Sequence, residues 1–264
     1  RILAQGSATA AGMAPWLGAA WDKRLSGKTS WRGQFDLEST GERIRIESDL
    51  VGLGTSLPAP LAKLAAQPLP LLVTSQPQNG GRSHEVRLGS TVGAVWLTTA
   101  AGGFARGEMR FGGPASLPAE PGLRLAGGGR AMDVSGWSSL LSDRAGGEAL
   151  PLTSINLGFD AIDLMGRRYQ RVNLQGRTRN GLLRVRVTGR DMSGALTYRP
   201  AGEQPARVSA QFKQLTVPER APGVGEAGSL NMKAANFPTL DVQVEDFRLQ
   251  ERSLGRLEVM ARGA

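Results

Sequence analysis

Apolar and polar residues alternate with period two along most of this chain, and that pattern constrains its fold more than any other feature. Phe35 and Leu37 alternate with Gln34, Asp36 and Glu38; Ile44 and Ile46 alternate with Arg43, Arg45 and Glu47. The pattern recurs at Val86/Leu88, Met109/Phe111, Leu123/Leu125, Ile155/Leu157/Phe159, Val172/Leu174, Leu183/Val185/Val187, Leu240/Val242/Val244 and Leu257/Val259. Successive strand side chains point to opposite faces, so each run is a strip with one apolar and one polar side. Turn residues separate the strips at Thr40-Gly41, Asn79-Gly80-Gly81, Asn180-Gly181 and Pro200-Ala201-Gly202. Asn180-Gly181 between two such runs is the strongest local hairpin signal. The 36 Gly, 15 Pro and 5% aromatic residues suit short strands and tight turns. The expected fold class is mainly β, with few short helices.

Two short helices are expected. One covers a turn or two within Leu57–Ala66, after the second of its two prolines. The other covers Ser135–Leu141, with Ser135 as its cap. Pro218–Gly228 reads as a linker or loop. No run approaches the roughly 18–20 apolar residues that span a bilayer, and the Ala-rich opening, Ala8–Ala20, lacks a basic lead-in and is a poor signal peptide. A chain opening on Arg1 is expected to be a stretch of a longer protein.

An internal repeat adds to this. The twenty residues from Ile155 to Leu174 align without gaps on those from Leu240 to Val259, at an offset of 85 residues. Apolar positions coincide at 155/240, 157/242, 159/244, 162/247, 164/249, 169/254, 172/257 and 174/259, as do Arg167/Arg252 and Arg171/Arg256. A looser echo joins Arg43–Ile46 and Asp49 to Arg184–Val187 and Asp191. Repeats of this kind predict an elongated architecture extended by adding units. Two segments are expected: 1-150, and 151-264 with units starting near 155 and 240.

Catalytic chemistry is poorly provided for. The single histidine, His84, rules out a His-pair metal site and reads as a surface residue beside a turn. Cysteine is absent, so thiolate metal sites and disulfides are too. No phosphate loop, nucleophile elbow or zinc spacing is present. Asp160 and Asp163 form a carboxylate pair, but Arg248 replaces the second in the repeat, so solvated strand-face charge is the expectation. We therefore expect no enzyme, no metal and no cofactor. The net charge of +9 raises anionic partners. Only five of the 32 basic residues are lysines, however, and the arginines are scattered at alternate positions such as Arg184 and Arg186. Without aromatic residues among them, no nucleic-acid partner is expected.

The apolar strips remain as candidates for function. Two sheets packed face to face would make them a core. One curved sheet would make them an open groove that needs an apolar occupant. A transmembrane barrel would need aromatic girdles, and two Tyr and five Trp are too few. From the residues, core and groove both stay open.

Ser48-Asp49-Leu50-Val51-Gly52-Leu53, followed by Leu57-Pro58-Ala59-Pro60-Leu61-Ala62-Lys63, resembles the SDLxGL…LPxPLxK signature of the YhdP-type AsmA-like family. Gly122–Leu125 with Asp133–Trp137, and Phe237-Pro238 through Asp246 with Leu254–Leu257, are similar to later segments of that family. The resemblance runs from about Gly27 to Gly263. It implies a long, curved antiparallel sheet forming a hydrophobic groove, in a periplasmic protein anchored in the inner membrane by a helix outside this chain. It also implies phospholipid acyl chains as cargo, membranes at the ends of the full-length protein, envelope protein partners, and a role in outer-membrane biogenesis. The groove candidates are then Ile44, Ile46, Ile155, Leu157, Phe159, Val172, Leu174, Leu183, Val185, Val187, Leu240, Val242, Val244, Leu257 and Val259. The alternative is a structural or assembly scaffold that binds partners by sheet-edge pairing.

Overall fold

The alternating runs form strands, and nearly all of the structure is strand. The computed structural model describes residues 1–17, 23–39, 41–142, 150–202, 205–220 and 239–261. The chain divides into two compact units: Arg1–Gly128 with Gly147–Pro151, and Gly129–Gly146 with Leu152–Ala264.

The first unit contains β1 (Ile2–Thr9), α1 (Ala10–Leu17), β2 (Leu25–Glu38), β3 (Gly41–Ser48), β4 (Leu53–Thr55), β5 (Leu71–Gln78), β6 (Gly81–Leu88), β7 (Val92–Thr98) and β8 (Phe104–Phe111). It also contains the first half of β9 (Gly122–Asp133), which pairs with β8. Strands follow chain order across the sheet, except that short β4 pairs with β2 off the main path. The second unit contains α2 (Val134–Ser142), β10 (Leu152–Leu164), β11 (Arg167–Arg179), β12 (Leu182–Thr188), β13 (Met192–Arg199), β14 (Arg207–Val217), β15 (Thr239–Leu249) and β16 (Arg252–Ala261). Its strands β10 to β16 also lie in chain order.

The tight turns follow the sequence signals. Asn79-Gly80, Met165-Gly166 and Asn180-Gly181 all have positive φ at both residues, the conformation that matches the right-handed twist of a hairpin. Within β1–β9 and within β10–β16 pairing is antiparallel with two exceptions: β8 with β9, and β14 with β15, run parallel. This departs from the expected all-antiparallel sheet. A parallel neighbour needs a connection long enough to carry the chain back along the strand, and the Gly/Pro-rich segment after Phe111 supplies one.

The helices depart from expectation too. Leu57–Ala66 forms turns and an isolated bridge, Thr55↔Lys63, rather than a helix. Pro58 and Pro60 lack the N–H a helix uses, and a residue before proline is pushed out of the helical region. α1 is not anticipated by the pattern, since Gly12 and Pro15 interrupt it. Its start is set by Thr9, whose Oγ1 accepts a hydrogen bond from Gly12 N at 3.1 Å. α2 falls where a helix is expected, but its cap is Asp133, whose Oδ1 accepts from Gly136 N at 2.8 Å. Ser135 Oγ instead accepts from Met165 N at 2.7 Å, tying the helix to the turn after β10. Of the linker expected at Pro218–Gly228, only 218–220 is described, and Phe237 and Pro238 lie outside the described residues.

Candidate functional site

Strand register decides which side chains share a face. In the second unit it assembles one row as Leu157–Leu174–Val187–Gly194–Phe212–Val244–Leu257, crossing seven strands without a charged residue. The adjacent row is Ile155–Gly176–Val185–Leu196–Ala210–Val242–Val259. A third runs Thr178–Leu183–Tyr198–Val208–Leu240–Ala261, and the pair Phe159↔Val172 begins a fourth. All thirteen groove candidates in this unit therefore lie on one face. The opposite face reads Asn156–Gln175–Arg186–Ala195–Gln211–Gln243–Glu258.

The two repeated hairpins share their register from Ile155/Leu240 to Phe159/Val244 and again at the turn; between Val244 and Arg248 β15 carries a shift, with Phe247 opposite Gly255, that β10 lacks. Leu157 pairs with Leu174 and Val242 with Val259; Phe159 pairs with Val172 and Val244 with Leu257. β10 and β12, two places apart, approach within 8 Å between Cα atoms, where a flat sheet would hold them about 9.5 Å apart. The sheet is curled here, and the apolar side is the sheltered one. Leu183, Val185 and Val187 are buried, while Arg184, Arg186 and Thr188 between them are exposed.

The first unit repeats the arrangement. One row is Ala4–Gly33–Ile46–Val73–Val86–Ala94–Met109–Leu125; the next is Ile2–Phe35–Ile44–Ser75–His84–Trp96–Gly107–Leu123. Ile44 and Ile46 thus sit on the apolar face as well. No second sheet covers this face among the described residues. Ile46, Val73, Val86 and Leu125 are half-buried, and Met109 is 38% exposed. A face-to-face sandwich would bury these side chains; here they line an open strip.

One end of that strip is closed. Ala10 of α1 packs with Leu50 and Leu53 against Met13, Leu25, Leu69, Leu71 and Leu88. The segment Ser48–Lys63 builds this cap. Ser48 Oγ accepts from Leu50 N at 3.0 Å and Asp49 Oδ1 from Val51 N at 2.9 Å, turning the chain so that Leu50 and Leu53 face inward. Gly52 has φ +88, and a Cβ there would lie 2.3 Å from the Lys28 carbonyl oxygen, so any other residue would force the backbone to shift. Lys63 Nζ donates to the carbonyls of Leu50 (2.9 Å) and Leu53, and burial lowers its pKa despite nearby Asp49.

The parallel connection between β8 and β9 leaves the apolar strip clear. It crosses the polar face: Ser116 N donates to Glu108 at 3.2 Å, and Arg106 Nη1 to the Ala119 carbonyl at 3.0 Å. A Cβ at Gly93, a polar-face position, would meet Ala115 N at 2.7 Å, so glycine is needed for the chain to pass. Glu108 is fully buried beneath this crossing, held by Arg110 at 2.8 Å and by Arg124.

Much of the basic charge is balanced along the strands. Arg45 pairs with Glu47, Arg87 with Glu85, Arg248 with Asp246 and Arg256 with Glu258, each two residues apart on one face. Two hollows of about 900 and 700 Å³ are lined chiefly by polar-face residues, among them Arg32, Arg45, Glu47 and Arg87 in one and Arg186, Gln211 and Gln243 in the other. Both are open hollows with charged side chains among their lining. Two expectations need correction. Asp163 is not solvated; it is buried and takes a two-pronged contact from Arg168 at 2.7 and 2.8 Å. His84, expected on the surface beside a turn, is half-buried on the apolar face and stacked on Trp96. Period two from Leu88 and Val86 carries that information. No group of three or more metal-ligating side chains occurs among the described residues, and no described helix is long and apolar enough to cross a membrane.

Each unit is a sheet that grows strand by strand and keeps one face apolar, half-buried and open in the first unit and largely buried in the second, which defines a repeat-built β protein. The family described as YhdP protein matches residues 1–264, and the chain belongs to that family. No curated protein and no solved structure matches.

Proposed function

We propose that this chain is a non-enzymatic segment of a periplasmic, inner-membrane-anchored protein that shields phospholipid acyl chains and conducts them between the inner and outer membranes. The observation that carries the reading is the charge-free row from Leu157 to Leu257 across seven strands. Family membership supports it. Burying an acyl chain is favourable by about 0.8 kcal/mol per CH₂, so an open apolar strip in water gains by holding one. Apolar contacts are non-directional, so a held chain can still slide from one strand to the next.

Native mass spectrometry of the purified chain tests this. Copurifying phospholipid is the expected result, lost or sharply reduced in Leu157→Asp and Val242→Asp, where a charge enters the strip at half-buried positions. Val185 is too deeply buried for a clean test, because Asp there would also destabilise the fold. A folded chain that carries no lipid would overturn the proposal and favour a scaffold that recruits partners at a sheet edge.

A further inference from the structure

On the apolar face of the first unit, four neighbouring strands turn polar toward the same end. Starting from the capped end, β5 presents Leu71, Val73 and then Ser75, and β6 presents Leu88, Val86, His84 and then Arg82. β7 presents Val92, Ala94, Trp96 and then Thr98, and β3 presents Ile46, Ile44 and then Glu42. The polar groups converge. Arg82 Nε and Nη2 donate to Ser75 Oγ at 3.2 and 3.0 Å, and Nη2 also donates to the Glu42 carbonyl at 3.0 Å. Pro77 explains that last bond: it has no N–H to offer β3, whose pairing with β5 stops at Ile44↔Ser75. His84 stacks on Trp96 with ring centroids 5.0 Å apart, and its Nε2 lies 3.4 Å from Thr98 Oγ1. Desolvation and the nearby Arg82 keep His84 below its ordinary titration range, so Arg82 is the cation of the cluster.

We propose that Arg82, with Ser75, His84 and Thr98, is a rim site for the phosphate of a glycerophospholipid headgroup, the tails running along the strands toward Leu71 and Leu88. The inference rests on the lipid-path reading and deepens it by fixing the lipid's orientation. From Ser75 to Leu71 the strand offers about 14 Å of apolar surface, closed at the far end by Leu50 and Leu53. A guanidinium is a planar fork suited to phosphate oxygens. Its one acidic neighbour is loosely held: Glu42 Oε1 is 3.8 Å from Arg82 Nη1, and the Glu42 side chain is 57% exposed, so it can turn to water when phosphate takes that nitrogen.

The test offers the full chain an equimolar mixture of phosphatidylglycerol and diacylglycerol with identical tails, read by native mass spectrometry. Wild type should prefer the phosphate-bearing lipid. Arg82→Gln should reduce that preference about tenfold, the worth of one charge-assisted hydrogen-bonding group, and Arg82→Lys should reduce it less. Arg45→Gln, on the opposite face of β3, should leave it unchanged. Should Arg82→Gln fail to fold, Arg82→Lys and the wild-type preference decide the matter. An unchanged lipid ratio in the folded Arg82 variants, or a wild-type preference abolished by micromolar inorganic phosphate, overturns the headgroup site while leaving the lipid path standing. Absence of both lipids from wild type overturns the lipid path and this inference with it.

Discussion

Glu108 offers the sharpest test of how the sheet is held where two strands run parallel. Its carboxylate is fully buried on the polar face of β8, accepting from Arg110 Nε at 2.8 Å and Ser116 N at 3.2 Å, and from Arg124 on β9. One side chain thus joins two parallel strands and the connection between them. Removing one partner of a buried ion pair costs about 3–5 kcal/mol when the other is left dry. Here the arginine side chains are 34% and 36% exposed and stay wetted, so the loss falls toward about 2–3 kcal/mol. Glu108→Gln should lose most of it, because the amide turns a donor toward two guanidinium groups. Glu108→Ala should lose somewhat more through the space left behind. The assay is urea unfolding followed by circular dichroism, with Glu47→Gln as control, whose exposed pair with Arg45 should be worth under about 1 kcal/mol. Glu108 variants as stable as the control would refute the idea that this carboxylate fastens the parallel junction.

Gly52→Ala should destabilise the first unit by about 2 kcal/mol, since a positive φ and a blocked Cβ position act together; a thermal unfolding midpoint equal to wild type would contradict this. Asp133→Ala should cost about 1 kcal/mol through loss of the α2 cap, seen as faster amide exchange confined to 134–142. His84 should titrate below the ordinary imidazole value of about 6.5, which a single-histidine chain lets proton NMR read directly. Because the folded pKa is the lower one, the unfolded chain takes up the proton first as pH falls. The stability His84 contributes is present above about pH 6.5 and is lost as pH falls through the folded value; His84→Phe should remove that part of the acid sensitivity, and identical pH profiles for the two proteins would count against it.

Alternation made the apolar face legible almost residue by residue. The strip Leu183/Val185/Val187 and its register partners on the neighbouring strands end on one face because side-chain direction depends only on parity along each strand, and facing partners share it. The 85-residue repeat likewise predicted two hairpins of one design, and their registers coincide except for the shift in β15 between Val244 and Arg248. Parity says nothing about the direction of the next strand, so the parallel pairs β8/β9 and β14/β15 were not legible. Neither was α1, whose capping Thr9 is an ordinary strand residue by composition. The burial of Asp163 depends on Arg168 facing it across a hairpin, a tertiary fact. His84 is different: its place follows from the same parity as Val86, and only its polarity hid it.

The coincident registers of the two repeated hairpins give this sheet something like a reading frame. Excising Ile155–Thr239, one full period, would set Leu240 where Ile155 stood, with Val242 and Val244 falling on the sides that Leu157 and Phe159 had held. A cut one residue longer or shorter would turn every following strand of that stretch inside out, exchanging its wet and dry sides. Whole-period gain or loss is therefore the cheap way for such a chain to change length, and single-residue changes within strands the costly one.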